Sequence, residues 1–247
     1  MPRLIPFRLA AACLLAFSLA LAIAASASAK GFSADLRVVG SGGKVLAEKT
    51  IATADTAVKT SPKADCFGKG SGGSGKSVTL QGDTAMGLLA RGSKSIAALS
   101  PLLISDHFDF GIALCGVGSS VAKGSASWYL KINHRSLEVG GDVAKIKPGD
   151  EVLWDLAPSF PYPSELALVA PDTAKAGMPF TVRVFSYDEK GKKAPQSGAK
   201  VTGAAKPTGA DGRTTVTLTR PGKLIARAAG EIPSARKAVC IGGKCPK

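Results

Sequence analysis

Between Pro158 and Ser164 the chain reads PSFPYPS. Proline locks φ at about −65° and has no amide to give to a helix or a ladder, so three prolines in six residues exclude regular structure and stiffen a connection. This stretch therefore divides the chain into two regions that must fold on different patterns.

Before the break, strands and one helix alternate. FSADLRVVGSGGKVLAEKTIATA reads as two strands around the Ser41-Gly42-Gly43 turn, whose glycines admit positive φ. A loop rich in Gly, Ser and Lys follows, then the short strand SVTLQG. In DTAMGLLARG, Asp83 or Thr84 can cap a helix that places Met86, Leu89 and Ala90 on one face and stops at Gly92. HFDFGIALCGVG reads as strand. SASWYLKINH alternates, with Trp128, Leu130 and Ile132 on one side and Tyr129, Lys131 and Asn133 on the other. GDEVLWDLAP alternates again, after a Pro148-Gly149 turn, and puts Val152, Trp154 and Leu156 together. The expected result is an α+β unit over residues 30–158, a mixed sheet with one helix on a face.

After the break, ELALVAP, PFTVRVFSYD, AKVTGAA, RTTVTLTRPG and KLIARAAG are short alternating segments with no helix signal among them. Turn signals at Asp188–Gly191 and Asp211-Gly212 separate them at intervals of roughly ten residues, the spacing of a small all-β sandwich. Its expected extent is 165–241, after a 159–164 linker and before a short tail, 242–247.

The first 29 residues have the pattern of a secretory signal: Arg3 and Arg8, an apolar run, and Ala27-x-Ala29 before Lys30. Removing it leaves 218 of 247 residues and, with two arginines and no acid gone, lowers the net charge from +14 to +12. No later segment approaches the ~18 apolar residues of a membrane helix, so the expected product is secreted or loosely held at a surface. The lysines are scattered singly rather than clustered with aromatics, which argues against nucleic acid. Four cysteines remain, Cys66, Cys115, Cys240 and Cys245, and an even number in an oxidising compartment reads as disulfides. Three connectivities exist; Cys66–Cys115 and Cys240–Cys245 keep each bridge inside one region. No C-x₂-C spacing suggests zinc.

The stretch GKGSGGSGKS contains the phosphate-loop pattern at Gly70, Gly75, Lys76 and Ser77. The mechanism requires a strand before the loop and a helix beginning at Lys-Ser, so that amides converge on phosphate. TSPKADCFGK precedes and the β-branched VTLQG follows, so the match reads as composition, and the segment as a mobile basic loop. The two histidines are His107, between Asp106 and Asp109, and His134, at a strand end beside Arg135. No G-x-S-x-G elbow accompanies either, so no nucleophile is assigned. No cofactor is expected, and no metal: Asp106, His107 and Asp109 offer too few ligands for a closed site. Trp128 and Trp154, on the apolar faces, are expected in the core. Tyr129, Lys131 and Asn133, on the opposite face, with Tyr162 of the linker, are the expected contacts to a ligand.

SASWYLKINHRSLEVGGDVAKIKPGDEVLWDLA resembles the transcobalamin-like C-terminal domain family of bacterial secreted proteins. The marks are Trp128, Tyr129 and Asn133, then Gly149-Asp150 leading to Trp154, with GDTAMGLL matching a Thr-Ala-x-x-x-Leu helix start; coverage runs from about Phe32 to Pro158. The resemblance implies a β-grasp fold. In transcobalamin this small domain closes over a corrinoid held against a large helical domain, which has no counterpart in this sequence. TGADGRTTVTLTRPGKLIARAAG is similar to the end of bacterial Ig-like domains. Together they imply a β-grasp-like mixed sheet followed by an Ig-like sandwich. The function expected is non-catalytic binding of a surface polymer, protein or small ligand, with corrinoid-like capture by the β-grasp domain as the alternative. An enzyme of unknown type stands third, because no constellation supports it.

Overall fold

A computed structural model describes residues 31–246; the expected signal segment lies outside them. The chain is mostly strand, arranged in several sheets, with a single α-helix among the described residues. Gly31–Lys247 forms one compact unit.

The first half contains β1 (Ser33–Gly40), β2 (Lys44–Ala52), β3 (Thr56–Lys59), β4 (Ser77–Leu80), α1 (Ala85–Ser93), β5 (Leu102–Phe108), β6 (Gly111–Val117), β7 (Ser120–Val121), β8 (Ser127–Ile132), β9 (Arg135–Ser136) and β10 (Glu151–Ala157). Its main sheet has the order β2-β1-β10-β8-β9, with β1 and β10 parallel and the other pairs antiparallel. The β1–β2 hairpin turns at Ser41–Gly43, where Gly42 and Gly43 hold φ of 67° and 71°. In α1 the Thr84 hydroxyl accepts from the Gly87 amide at 3.1 Å and so caps one otherwise unpaired donor. A methyl at Gly87 would stand 1.8 Å from the Gln81 carbonyl oxygen, so glycine there lets the chain pass close to its own cap. The helix packs on one sheet face around Leu36, Val38, Leu89, Leu130, Val152 and Trp154.

Two expectations change in detail. The loop after β2 begins with strand β3, which pairs with β4, and HFDFGIALCGVG is divided by a turn at Asp109-Phe110, His107 and Phe108 ending β5 and Gly111–Val117 forming its partner β6. Strands β3 and β4 have four residues each, too few to show a long alternation.

The second half contains β11 (Glu165–Val169), β12 (Thr173–Ala174), β13 (Pro179–Tyr187), β14 (Lys193–Pro195), β15 (Lys200–Val201), β16 (Arg213–Thr217), β17 (Gly222–Leu224), β18 (Ala226–Arg227) and β19 (Lys237–Ile241). Strand β13 is the hub of one sheet and pairs with β11, β14 and β16. A second sheet runs β12-β19-β17, and β15 pairs with β18. Leu166, Val182, Val184, Val216, Leu224 and Val239 form the core between them. Disulfides join Cys66 to Cys115, tying the loop before β4 to β6, and Cys240 to Cys245, closing the turn after β19. Among the described residues no helix is long and apolar enough to cross a membrane.

Candidate functional site

The face of the main sheet opposite α1 is set by pairing, because partners in register share a face. One row across it reads Glu48, Arg37, Leu153, Lys131, and the next reads Val45, Val39, Asp155, Tyr129. The sequence reading left this face open to a ligand. In the structure it is covered: Ile232 packs on Val39 and Leu153, Pro233 accepts a hydrogen bond from Arg37, and Arg236 pairs with Glu48. The second half of the chain is the cover.

Lys131 corrects the expectation most clearly. It is only 1% exposed, and its Nζ lies 3.4 and 3.5 Å from the carbonyl oxygens of Tyr187 and Asp188. Burial lowers its pKa, since an ammonium out of water is costly. Asn133 does not extend the strand face either. It occupies the β8–β9 turn at φ 50°, donates to the Asp150 carboxylate at 2.8 Å and accepts from the Glu151 amide at 2.9 Å. Asparagine tolerates this left-handed conformation better than most residues, and Asp150 holds it there. Asp150 also accepts from the Lys147 amide at 2.7 Å, next to Gly149 at φ 79°. Tyr129 is half-buried, stacked on Tyr162 at 3.7 Å and hydrogen-bonded to Ser136. Trp154 is buried, its indole 3.4 Å from the Ala85 carbonyl at the start of α1, whereas Trp128 is half-buried at the core's edge.

Beneath the cover lies a charged cluster. Arg37 contacts both Glu165 and Glu151, the latter at 3.1 Å, and gives its other terminal nitrogen to the Pro233 carbonyl at 2.7 Å. Glu165, 1% exposed, also meets His134 Nδ1 at 3.0 Å. The imidazole stacks on Tyr187 with ring centres 4.0 Å apart. Hydrogen bonding to Glu165 raises the His134 pKa and favours imidazolium. Burial alone would raise the Glu165 pKa, but His134 and Arg37 outweigh it and hold the carboxylate ionised. His134, Glu151 and Glu165 bring three ligand atoms within 4.8 Å of one another. The Arg37 guanidinium is bonded to both carboxylates, so the place a cation would take already carries a positive charge. The charges of this cluster are spent on one another across the junction.

Beside the cluster the two halves enclose a cleft of about 770 Å³. Val121, Leu156, Pro158, Pro163, Ile232 and Pro233 supply apolar wall. Five charged residues reach it: Asp155, Glu231, Lys123, Lys200 and Arg227. Asp155 is 5% exposed, and burial lifts its pKa to about 7 against the pull of Arg37 and Lys131. Burial also raises the Glu231 pKa. Sequence reading missed this cleft and its residues. The signal available was the run EVLWDLA, apolar on both faces, which marks a strand covered twice and makes Asp155 an acid inside it.

The phosphate-loop residues stand apart. Ser77 begins strand β4, so no helix N-terminus faces the loop that holds Gly70, Gly75 and Lys76. The loop is stitched down rather than loose. Ser74 gives its amide and hydroxyl to Asp106, each at 2.6 Å, and these bonds lower the Asp106 pKa to about 2. The Gly75 amide bonds to Thr60, and Ser105 bonds to the Ser71 carbonyl. Nearby, Phe67 and Phe110 are 62% and 83% exposed and both pack on Phe108.

No protein-family model matches the chain, and no curated protein matches it significantly.

Proposed function

We propose that the chain is a secreted, non-catalytic binding protein that takes a small ligand in the cleft between its halves. In this reading the first half is a transcobalamin-like β-grasp domain and the second an Ig-like sandwich. The parallel pairing of β1 with β10, inside a five-stranded sheet carrying one helix, supports the former. The β13-centred sheet sharing a core with β17 and β19 supports the latter. Two disulfides support an oxidising compartment.

The observation that carries the binding reading is the cleft: its volume, its apolar walls and its few convergent charges are those of a small-molecule site. The exposed Phe67 and Phe110, packed on the half-buried Phe108, favour a second reading, contact with a surface partner. A thermal-shift screen of the mature protein with corrinoids, hemes, cell-wall fragments and amphipathic small molecules tests the first. A ligand at a hundred times its Kd stabilises by about 2.7 kcal/mol, which raises Tm by roughly 5–10 °C for a chain this long. No shift from any class at excess would refute it.

A further inference from the structure

The proposed ligand's chemistry can be read from the cleft wall; this step rests on the cleft being the binding site. Lys200 on β15 and Arg227 on β18 are direct partners in an antiparallel pair, and both residues line the cleft. Partners in that position have Cβ atoms about 5 Å apart, and like charges there repel. Neither has a carboxylate within ion-pair distance among the described residues, nor does Lys123, which the first half brings to the same cleft. Arg227 donates only to the Gly43 carbonyl, at 2.9 Å, which anchors the guanidinium at the seam between the halves. The two acids of the cleft do not cancel this charge, because Asp155 is buried, Glu231 is half-buried, and neither forms an ion pair with the three basic residues.

Two paired cations from the second half and a third from the first, all lining one cleft, form a receptor for an anion. The accessible apolar wall, Val121, Pro158 and Pro163, needs a ligand with hydrocarbon to cover it. We propose that the cleft binds an amphipathic organic anion, its acidic group bridging Lys200 and Arg227 toward Lys123 and its apolar body lying on Val121, Pro158 and Pro163. Binding of this kind would neutralise the repulsion between β15 and β18 and fasten the two halves together.

Titration calorimetry on the mature protein tests this with decanoate, decanol, decylamine and acetate as probes. Decanoate is expected to bind at least tenfold more tightly than each of the other three. Lys200→Gln and Arg227→Gln should each weaken decanoate tenfold or more and leave decanol unchanged. Lys200→Gln removes a like charge and no hydrogen bond, so Tm of the free protein should hold or rise, which separates lost binding from lost folding; Arg227→Gln also gives up the bond to Gly43 and is read by its effect on decanoate against decanol. Lys123→Gln, in the first half, gives a second route to the same loss. Decylamine binding as well as decanoate would overturn the anion assignment, and acetate doing so would overturn the amphipathic one. If none of the four binds, the amphipathic-anion assignment fails; a stabilising ligand from another class in the thermal-shift screen would then keep the cleft as the binding site, and its absence there as well would remove both readings.

Discussion

Arg37 supports the buried charges at the junction, and Arg37→Met removes its charge while keeping most of its stem. Arg37 is 2% exposed and Glu165 1% exposed, so the change leaves a carboxylate out of water with His134 as its one bonded cationic partner and Lys131 acting from farther off. Breaking a buried pair from one side costs about 3–5 kcal/mol, because the surviving ion has neither its partner nor its hydration. Set against a total stability of about 5–15 kcal/mol, that is a large fraction. For a chain of this size it corresponds to a Tm lower by roughly 6–20 °C. Glu165→Leu should cost less, since Arg37 keeps Glu151 at 3.1 Å and the Pro233 carbonyl at 2.7 Å. The double variant should recover much of the loss, as replacing a whole buried pair by apolar groups is often near neutral. Urea unfolding of the three variants closes a double-mutant cycle with an expected coupling of at least about 1 kcal/mol. The deficit of Arg37→Met should also deepen as pH rises. His134 has a raised folded pKa, so its contribution is complete below its ordinary value of 6.5 and is lost on passing upward through the folded one. A cost for Arg37→Met below about 1 kcal/mol, or strict additivity in the double variant, would show that water reaches these charges and would refute the reasoning.

Two further outcomes follow from the same packing. Replacing Cys66 and Cys115 by serine frees a loop whose ends lie 49 residues apart, which on chain entropy costs about 4 kcal/mol; Cys240 and Cys245, 5 apart, should cost about 2 kcal/mol, and equal losses in urea melts would contradict this. Asp155 has a folded pKa of about 7 against an ordinary 3.8, so the folded state holds its proton more tightly and stability falls as pH rises between those values. Asp155→Asn should abolish that decline, gaining up to about 4 kcal/mol relative to the wild type by pH 8; unchanged pH slopes in calorimetry would exclude a buried, titrating Asp155.

Local pattern made the β1–β2 hairpin, the capped helix and the alternation of β8 and β10 legible, because each is fixed by neighbours a few residues away. Both cysteine bridges also followed from keeping each within its own half. Strand β19 and the β3–β4 pair were not legible, since their partners are distant and their runs short. The site failed for a different reason. Alternation assigns Tyr129, Lys131 and Asn133 to one face but is silent on what lies against it, and a solvated lysine and a buried one look alike in WYLKINH.

The missing information was that the Pro-rich break reverses the chain onto the sheet it has just left. Once Pro158–Ser164 is read as a hinge that lays the second half over the first, the odd residues of the central strands acquire a common cause. Arg37, Lys131 and Asp155 interrupt strands whose other positions are largely apolar, and each does so on the covered face. Glu165, the first residue of β11 after the break, is the partner that arrives with the cover. Charges in that position cost stability unless they meet, so they penalise any packing in which the halves slide or separate, a specificity that apolar contacts alone would not supply. The same seating leaves the cleft open at its edge, with Lys123 carried by one half and Lys200 and Arg227 by the other. A ligand there would be held only by the assembled pair, and the charged junction is what keeps the pair assembled.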